Sequence, residues 1–128
     1  MIHLDANVLI RLSIPGSGAA LKVRQWLAAG EMLAVSAPAW FEYISGPITA
    51  AEISRAESLL QGGIVGFEKN ASHLAADLFN LTGRKRAMKL DCMIAASCLL
   101  NRASIATTNV DDFSPFAAQG LTIEPVSI

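Results

Sequence analysis

The hydrophobic positions of this chain fall into short apolar runs that alternate with longer helical patterns. Five runs predict buried strands: Ile2–Leu4, Met32–Ser36, Ile64–Phe67, Ser104–Thr107 and Leu121–Val126. These runs contain few polar residues, which is typical of parallel strands that are covered on both faces. Because the runs alternate with helical segments, they predict an α/β fold in which a parallel sheet lies between two helical layers.

Four segments between these runs have the pattern of helices. In chain order they are a helix from Ser17 to Gly30, one that begins at Thr49, one that carries Leu74, Leu78 and Leu81, and one over Cys92–Asn101. Ser17 and Thr49 can cap the first two helices, and Asp91 can cap the fourth. The fourth helix is apolar nearly all round, so it is expected to be central and buried.

Composition narrows the possible classes of protein. The chain of 128 residues has the length of one domain, residues 1–128, and is long enough to bury a real core. Apolar residues make up 52% of it, so some apolar surface is expected to lie in an interface. Asp5 interrupts the first apolar run, and no later run is long enough to span a bilayer. A cytoplasmic protein that does not bind membranes is therefore expected.

Four carboxylates lie at the ends of apolar segments: Asp5, Glu42, Asp91 and Asp112. Ligands bind at the carboxyl ends of parallel strands, and clustered carboxylates repel one another unless a cation joins them. Oxygen ligands suit Mg²⁺ or Mn²⁺. The pattern predicts a divalent-metal site for phosphodiester hydrolysis, although Asp91 as a helix cap and Asp112 as a turn residue remain alternatives.

Four motifs resemble those of PIN domains, and within that family those of the VapC toxins of toxin–antitoxin pairs. They are Met1-Ile-His-Leu-Asp5-Ala-Asn7, Ser36-Ala-Pro-Ala-Trp-Phe-Glu42, Leu90-Asp91-Cys-Met-Ile94-Ala-Ala96 and Ala106-Thr-Thr108-Asn109-Val-Asp-Asp112-Phe113. Each motif alone is weak, but the four occur in the order and spacing of the family. The chain departs from the family at Tyr43, where leucine is common, and at Pro47, which follows a glycine.

The resemblance implies a three-layer fold with strand order 3-2-1-4-5, a homodimer and dependence on Mg²⁺ or Mn²⁺. It also implies cleavage of structured RNA of the tRNA or ribosomal RNA class, and a cognate antitoxin protein that holds the enzyme inactive. Asp5 and Asp91 are expected to be the most direct metal ligands, with Glu42 and Asp112 bound directly or through water. The candidates for supporting roles are Asn7, Ser36, Thr108, Asn109 and Asp111, and either Asn109 or Asp111 could replace Asp112 as the last ligand.

One basic group stands out against a net charge of −1, which gives no overall attraction for nucleic acid. It consists of Arg84, Lys85, Arg86 and Lys89, directly before Asp91. These side chains are expected to contact RNA phosphates at the mouth of the site, although such a run can also be a solvated loop.

Three other functions compete with a nuclease. Phosphotransferases with an aspartate nucleophile usually place a second aspartate two residues later, where this chain has Asn7. A receiver-like signalling domain needs a lysine on a late strand, and neither Ser104–Thr108 nor Leu121–Ile128 contains one. The non-enzymatic alternative is a PIN-fold scaffold or protein-binding module that has lost catalysis.

Overall fold

The central feature of the fold is one five-stranded parallel sheet, seen in a computed structural model that describes residues 1–128. Its strands are β1 Ile2–Leu4, β2 Leu33–Ser36, β3 Ile64–Val65, β4 Ser104–Thr107 and β5 Ile123–Pro125. Their order across the sheet is β3-β2-β1-β4-β5, and every neighbouring pair is parallel. The predicted sheet and its strand order are therefore confirmed.

Seven helices connect these strands and complete a three-layer α/β/α arrangement. They are α1 Ala6–Arg11, α2 Gly18–Ala28, α3 Ala37–Ile44, α4 Ala50–Leu59, α5 Lys69–Leu81, α6 Lys89–Leu100 and α7 Val110–Phe113. Short 3₁₀ turns cover Arg86–Met88 and Ser114–Gln119. None of these helices combines the length and the apolarity that crossing a bilayer requires.

Two of the predicted helix starts are confirmed and one is wrong. Ser17 Oγ accepts a hydrogen bond from the Ala20 N–H at 3.1 Å, and Thr49 Oγ1 accepts one from the Glu52 N–H at 3.1 Å. Asp91, however, does not cap α6, because this helix begins at Lys89 and Asp91 lies in its first turn. The preceding 3₁₀ turn runs directly into α6, so no capping side chain is needed there.

The core lies on both sides of β1, the central strand. Leu4, Leu33 and Ile105 on three adjacent strands are fully buried, and α6, which was predicted to be a central helix, buries six of its twelve residues. His3 is also fully buried, and neither of its ring nitrogens has a hydrogen-bond partner. Burial lowers the pKa of His3 to about 4, so this residue is a neutral part of the core at neutral pH.

Candidate active site

A cleft of about 300 Å³ opens at the carboxyl ends of β1 and β4. Its walls contain all four of the predicted acids. The lining residues are Asp5, Ala6, Asn7, Ile10, Glu42, Asp91, Asn109 and Asp112. The structure thus brings together four carboxylates that are separated by as many as 107 positions in the sequence.

Each acid reaches the cleft from a different element. Asp5 directly follows β1 and is the N-cap of α1. Glu42 lies in α3, a helix that begins immediately after β2 and whose first residues include Pro38. Asp91 is in the first turn of α6, and Asp112 is in α7, which follows β4 after a short connection. The site therefore depends on the parallel arrangement of the strands, because that arrangement places all these connections at one edge of the sheet.

Asp5 is the most firmly held of the four acids. It is only 5% exposed, and its Oδ1 accepts a hydrogen bond from the Ala6 N–H at 2.9 Å. Its Oδ2 accepts one from Thr107 Oγ1 at 2.8 Å and one from Asn7 Nδ2 at 3.1 Å. These three donors fix the plane of the carboxylate and leave one of its four lone pairs, on Oδ1, for a ligand in the cleft.

Thr107 is a site residue that the sequence reasoning missed, because it selected the neighbouring Thr108. Thr107 is fully buried at the end of β4, and its Oγ1 also accepts a hydrogen bond from the Asn109 N–H at 3.0 Å. Thr108 contributes only its backbone N–H, which donates to Asn7 Oδ1 at 3.2 Å. The strand register gave a signal for Thr107: Leu4 pairs with Ala106, so the next residues of the two strands, Asp5 and Thr107, are neighbours.

The remaining candidates divide into two groups. Asn7 and Asn109 line the cleft beside the acids. Ser36 and Asp111 do not: Ser36 Oγ caps α3 by accepting from the Ala39 N–H at 3.3 Å, and Asp111 is exposed in the first turn of α7. The basic residues that precede Asp91 are exposed on the turn between α5 and α6 and at the start of α6, outside the cleft lining.

The acids of the cleft disfavour one another's charges. Burial, and after it the nearby carboxylates of Asp112, Asp5 and Glu42, together raise the pKa of Asp91 to about 7. The pKa of Glu42 is also raised, first by desolvation and then by the charge of Asp5. For Asp5, burial raises the pKa, while the hydrogen bonds from Thr107, Ala6 and Asn7 act in the opposite direction.

The donor set of the cleft fits a hard divalent cation. Four carboxylates and two amide side chains line it, and neither lysine nor arginine is among the lining residues. A cation would offset the repulsion that raises the pKa of Asp91. No three acids are yet gathered closely enough to hold one ion directly. Because Glu42 and Asp112 are exposed, their side chains can rotate toward an ion or contact it through water.

Comparison with known proteins identifies the fold in which this cleft occurs. A family model described as PIN domain matches residues 2–118. No curated protein shows significant sequence similarity to the chain. Among solved structures, the chain is similar to one in VapBC2 from Rickettsia felis bound to a DNA fragment from their promoter, with 17% identity, a TM-score of 0.73 and 98% of each chain covered.

Two further structures show the same similarity. A chain in a toxin–antitoxin complex from Klebsiella pneumoniae has 22% identity and a TM-score of 0.74, with 100% of each chain covered. A chain in VapBC-1 from nontypeable Haemophilus influenzae has 18% identity and a TM-score of 0.69, with 98% of each chain covered. These similarities extend over the whole length of the fold.

Proposed function

The chain belongs to the PIN domain family, whose members are nucleases, and on that premise we propose that it is a metal-dependent endoribonuclease. Its proposed reaction is hydrolysis of phosphodiester bonds in structured RNA of the tRNA or ribosomal RNA class. The proposed cofactor is Mg²⁺ or Mn²⁺, and the proposed biological role is that of the toxin in a type II toxin–antitoxin pair.

One observation carries the catalytic part of this proposal. Four acids from four separate elements line one cleft that contains no cationic side chain, and their charges contribute to raising the pKa of Asp91 to about 7. A purely structural cluster would be expected to include a lysine or arginine partner, because unpaired buried charge is costly. The missing positive charge is the one that a metal ion would provide.

The chain's own residues have distinct parts in this site. Asp5 and Asp91 would hold the ion most directly, and Glu42 and Asp112 would complete its ligands directly or through water. A bound Mg²⁺ or Mn²⁺ supplies positive charge for the phosphate and acidifies water. Asp5 enters the reaction already oriented by Thr107 and Asn7. With a pKa of about 7, Asp91 is protonated in about half of the molecules at neutral pH, and that proton would be released when a cation binds.

The toxin role is supported by the structural neighbours, which come from VapBC and other toxin–antitoxin complexes. By analogy, a cognate antitoxin would bind this chain, and the chain would act as a homodimer. Several large apolar side chains are available for such contacts, including Phe41, which is 66% exposed, and Ile44, which is 41% exposed. A surface of this kind is typical of proteins that associate.

Cleavage of total cellular RNA by the purified protein tests the catalytic proposal. The reaction would be run with Mg²⁺ or Mn²⁺, with EDTA, and with the variants Asp5→Asn, Asp91→Asn and Asp111→Asn. We expect discrete fragments that disappear with EDTA and in the first two variants. Asp111→Asn removes the same charge from an exposed acid outside the cleft, so this control should still cleave.

A silent scaffold is the second candidate, because no three acids are gathered around one point. Titration with Mn²⁺ distinguishes the two functions. A folded wild-type protein that neither binds Mn²⁺ nor cleaves RNA would support the scaffold and contradict the nuclease.

A further inference from the structure

Two cationic side chains lie over the same aromatic ring near the start of α6. The guanidinium carbon of Arg84 is 5.2 Å from the centroid of the Phe79 ring, and Lys89 Nζ is 5.5 Å from it. Phe79 itself is partly buried and packs against the hydrophobic core. A ring fixed by the core therefore sets the positions of two positive charges that would otherwise repel each other.

Arg84 is held in place by its backbone as well as by the ring. Its φ of 57° lies in the left-handed region, which is unfavourable for a residue with a side chain. Its N–H donates to the Phe79 carbonyl at 2.9 Å, and its Nη1 donates to Asn80 Oδ1. The guanidinium is thus ordered by a neutral amide, which leaves its positive charge available to an external anion.

The location of these charges relates them to the cleft. Lys89 is the first residue of α6 and Asp91 is the third, so they are about 3 Å apart along the helix axis and on nearly opposite sides of it. Lys89 therefore lies across the first turn of α6 from Asp91, and both cations are outside the lining of the cleft. An extended anion whose reacting group occupied the cleft could reach them with a neighbouring part of its backbone.

We propose that Phe79, Arg84 and Lys89 form a binding site for an RNA phosphate that is not the one being cleaved. We call these three residues the Phe79 clamp. In it, Arg84 and Lys89 contact the phosphate, and Phe79 is a positioning residue that holds both cations. This inference rests on the proposed nuclease function. It divides the four basic residues into two pairs: Arg84 and Lys89 are held in place by the Phe79 ring, and Lys85 and Arg86 are not.

RNA is the anion that the geometry favours. A net charge of −1 gives no overall attraction for a polyanion, and the cleft itself is acidic, so a substrate that must enter the cleft needs local positive charge. Arginine also forms paired hydrogen bonds with phosphate, and an ordered guanidinium loses less freedom on forming them. An acidic protein segment is the competing ligand, and the test below includes it.

The test measures binding of fluorescently labelled bulk tRNA by anisotropy, in EDTA and at several salt concentrations. All proteins carry Asp91→Asn, so no cleavage occurs. Against this background we expect Arg84→Ala and Lys89→Ala each to weaken binding about tenfold and to lower the log–log salt slope by about 1. The charge-matched controls Lys85→Ala and Arg86→Ala should change the affinity less than about threefold.

Substitution of Phe79 separates positioning from folding. Phe79→Leu keeps an apolar side chain in the core and both cations, so we expect about fivefold weaker binding with an unchanged salt slope. Phe79→Tyr keeps the ring and should restore the affinity. Thermal unfolding of each variant would show that the fold is retained. In the cleaving protein, Phe79→Leu should raise KM and leave kcat unchanged, because it removes a contact made equally before and during the reaction.

Three results would overturn the clamp. One is an equal loss of tRNA affinity in the alanine variants of all four basic residues. Another is an unchanged tRNA affinity in a Phe79→Leu protein that remains folded. The third is tighter binding of poly-glutamate than of tRNA at matched charge, which would assign the site to an acidic protein segment. Because the binding assay needs neither metal nor cleavage, its failure is distinct from a failure of the nuclease proposal.

Discussion

The acidic cleft and the Phe79 clamp each include one residue of the first turn of α6, but they carry opposite charges. In the cleft, four negative charges from four elements converge and raise the pKa of Asp91 to about 7. In the clamp, two positive charges from one local segment are ordered by a ring and an amide. The proposed nuclease would need an ion to complete the cleft, whereas the proposed clamp would need none. We therefore expect the cleft to respond to pH and metal and the clamp to respond to salt.

The largest expected effect comes from Asp91→Asn. We expect RNA cleavage to fall by about 100-fold or more, because the variant loses a metal ligand. The metal-free variant should nevertheless be more stable than wild type at pH 8. Since the pKa of Asp91 rises from 3.8 to about 7 on folding, the stability of the wild type decreases as pH rises through that range.

Chemical denaturation without metal would measure the gain in the free energy of unfolding of Asp91→Asn over wild type at pH 8. We expect this gain to be about 1–2 kcal/mol, because the carboxyl is half-buried. The isosteric change Asp111→Asn, at an exposed acid, provides the control and should leave stability within about 0.5 kcal/mol of wild type. A loss of stability in Asp91→Asn would contradict the view that the acids of the cleft repel one another.

Removal of the Thr107 hydroxyl should have the next largest effect. Thr107→Val retains the shape of a fully buried side chain but removes the 2.8 Å hydrogen bond to Asp5 Oδ2. We expect metal affinity or activity to fall about 10–100-fold, as is typical when a group that orients a metal ligand is lost. Mn²⁺ titration and cleavage rates would measure it. Thr107→Ser restores the hydroxyl, so it should recover most of the activity if orientation is the cause.

The pH dependence of metal binding gives a smaller and graded effect. Below the pKa of Asp91, a proton occupies the carboxyl and must leave before a cation binds. We expect the Mn²⁺ affinity of wild type to fall about tenfold per pH unit as pH decreases from 7 to 5. Calorimetric titrations across this range would measure it. Asp91→Asn should bind weakly with a flatter profile, and equal slopes for both proteins would assign the proton to another group.

The smallest expected effect concerns the stability of the clamp. Glycine at position 84 would relieve the left-handed backbone but would lose the ring and amide contacts. These terms oppose each other, so Arg84→Gly should change the free energy of unfolding by less than about 1 kcal/mol. Its tRNA affinity should still fall about tenfold. Urea denaturation would measure the free energy of unfolding, and anisotropy would measure the tRNA affinity. A large loss of stability would show that Arg84 is primarily structural.

The apolar pattern was sufficient to predict the parallel sheet and the acids at the ends of its segments, because buried parallel strands leave a strong apolar signal. The strand order came only from the resemblance to PIN domains. It did not predict α1, a helix of only six residues that is too short to show a helical period. It also extended the third strand to Phe67, whereas β3 ends at Val65. At the edge of a sheet, where only one side of a strand is paired, apolar residues can continue beyond the ladder.

The placement of a residue in the cleft could be predicted where it follows from position along a strand, and could not be predicted where it depends on side-chain contacts. Asp5 follows a strand, so its location could be inferred from the sequence alone. Thr107 and Phe79 act through side chains on other elements, and only the packed structure shows those contacts. Ser36 was a site candidate because it lies within a family motif, but its hydroxyl is used to begin α3.

The hydrogen bond between Thr107 and Asp5 joins residues that are 102 positions apart. Contacts of such sequence separation form late, because closing a long loop costs conformational entropy before any pairing compensates for it. During synthesis Asp5 is made long before Thr107 and Asp112, so the cleft cannot assemble until the segment that carries β4 and α7 has emerged from the ribosome. The proposed activity is therefore expected to appear in one step, when that segment joins the sheet, and not by degrees.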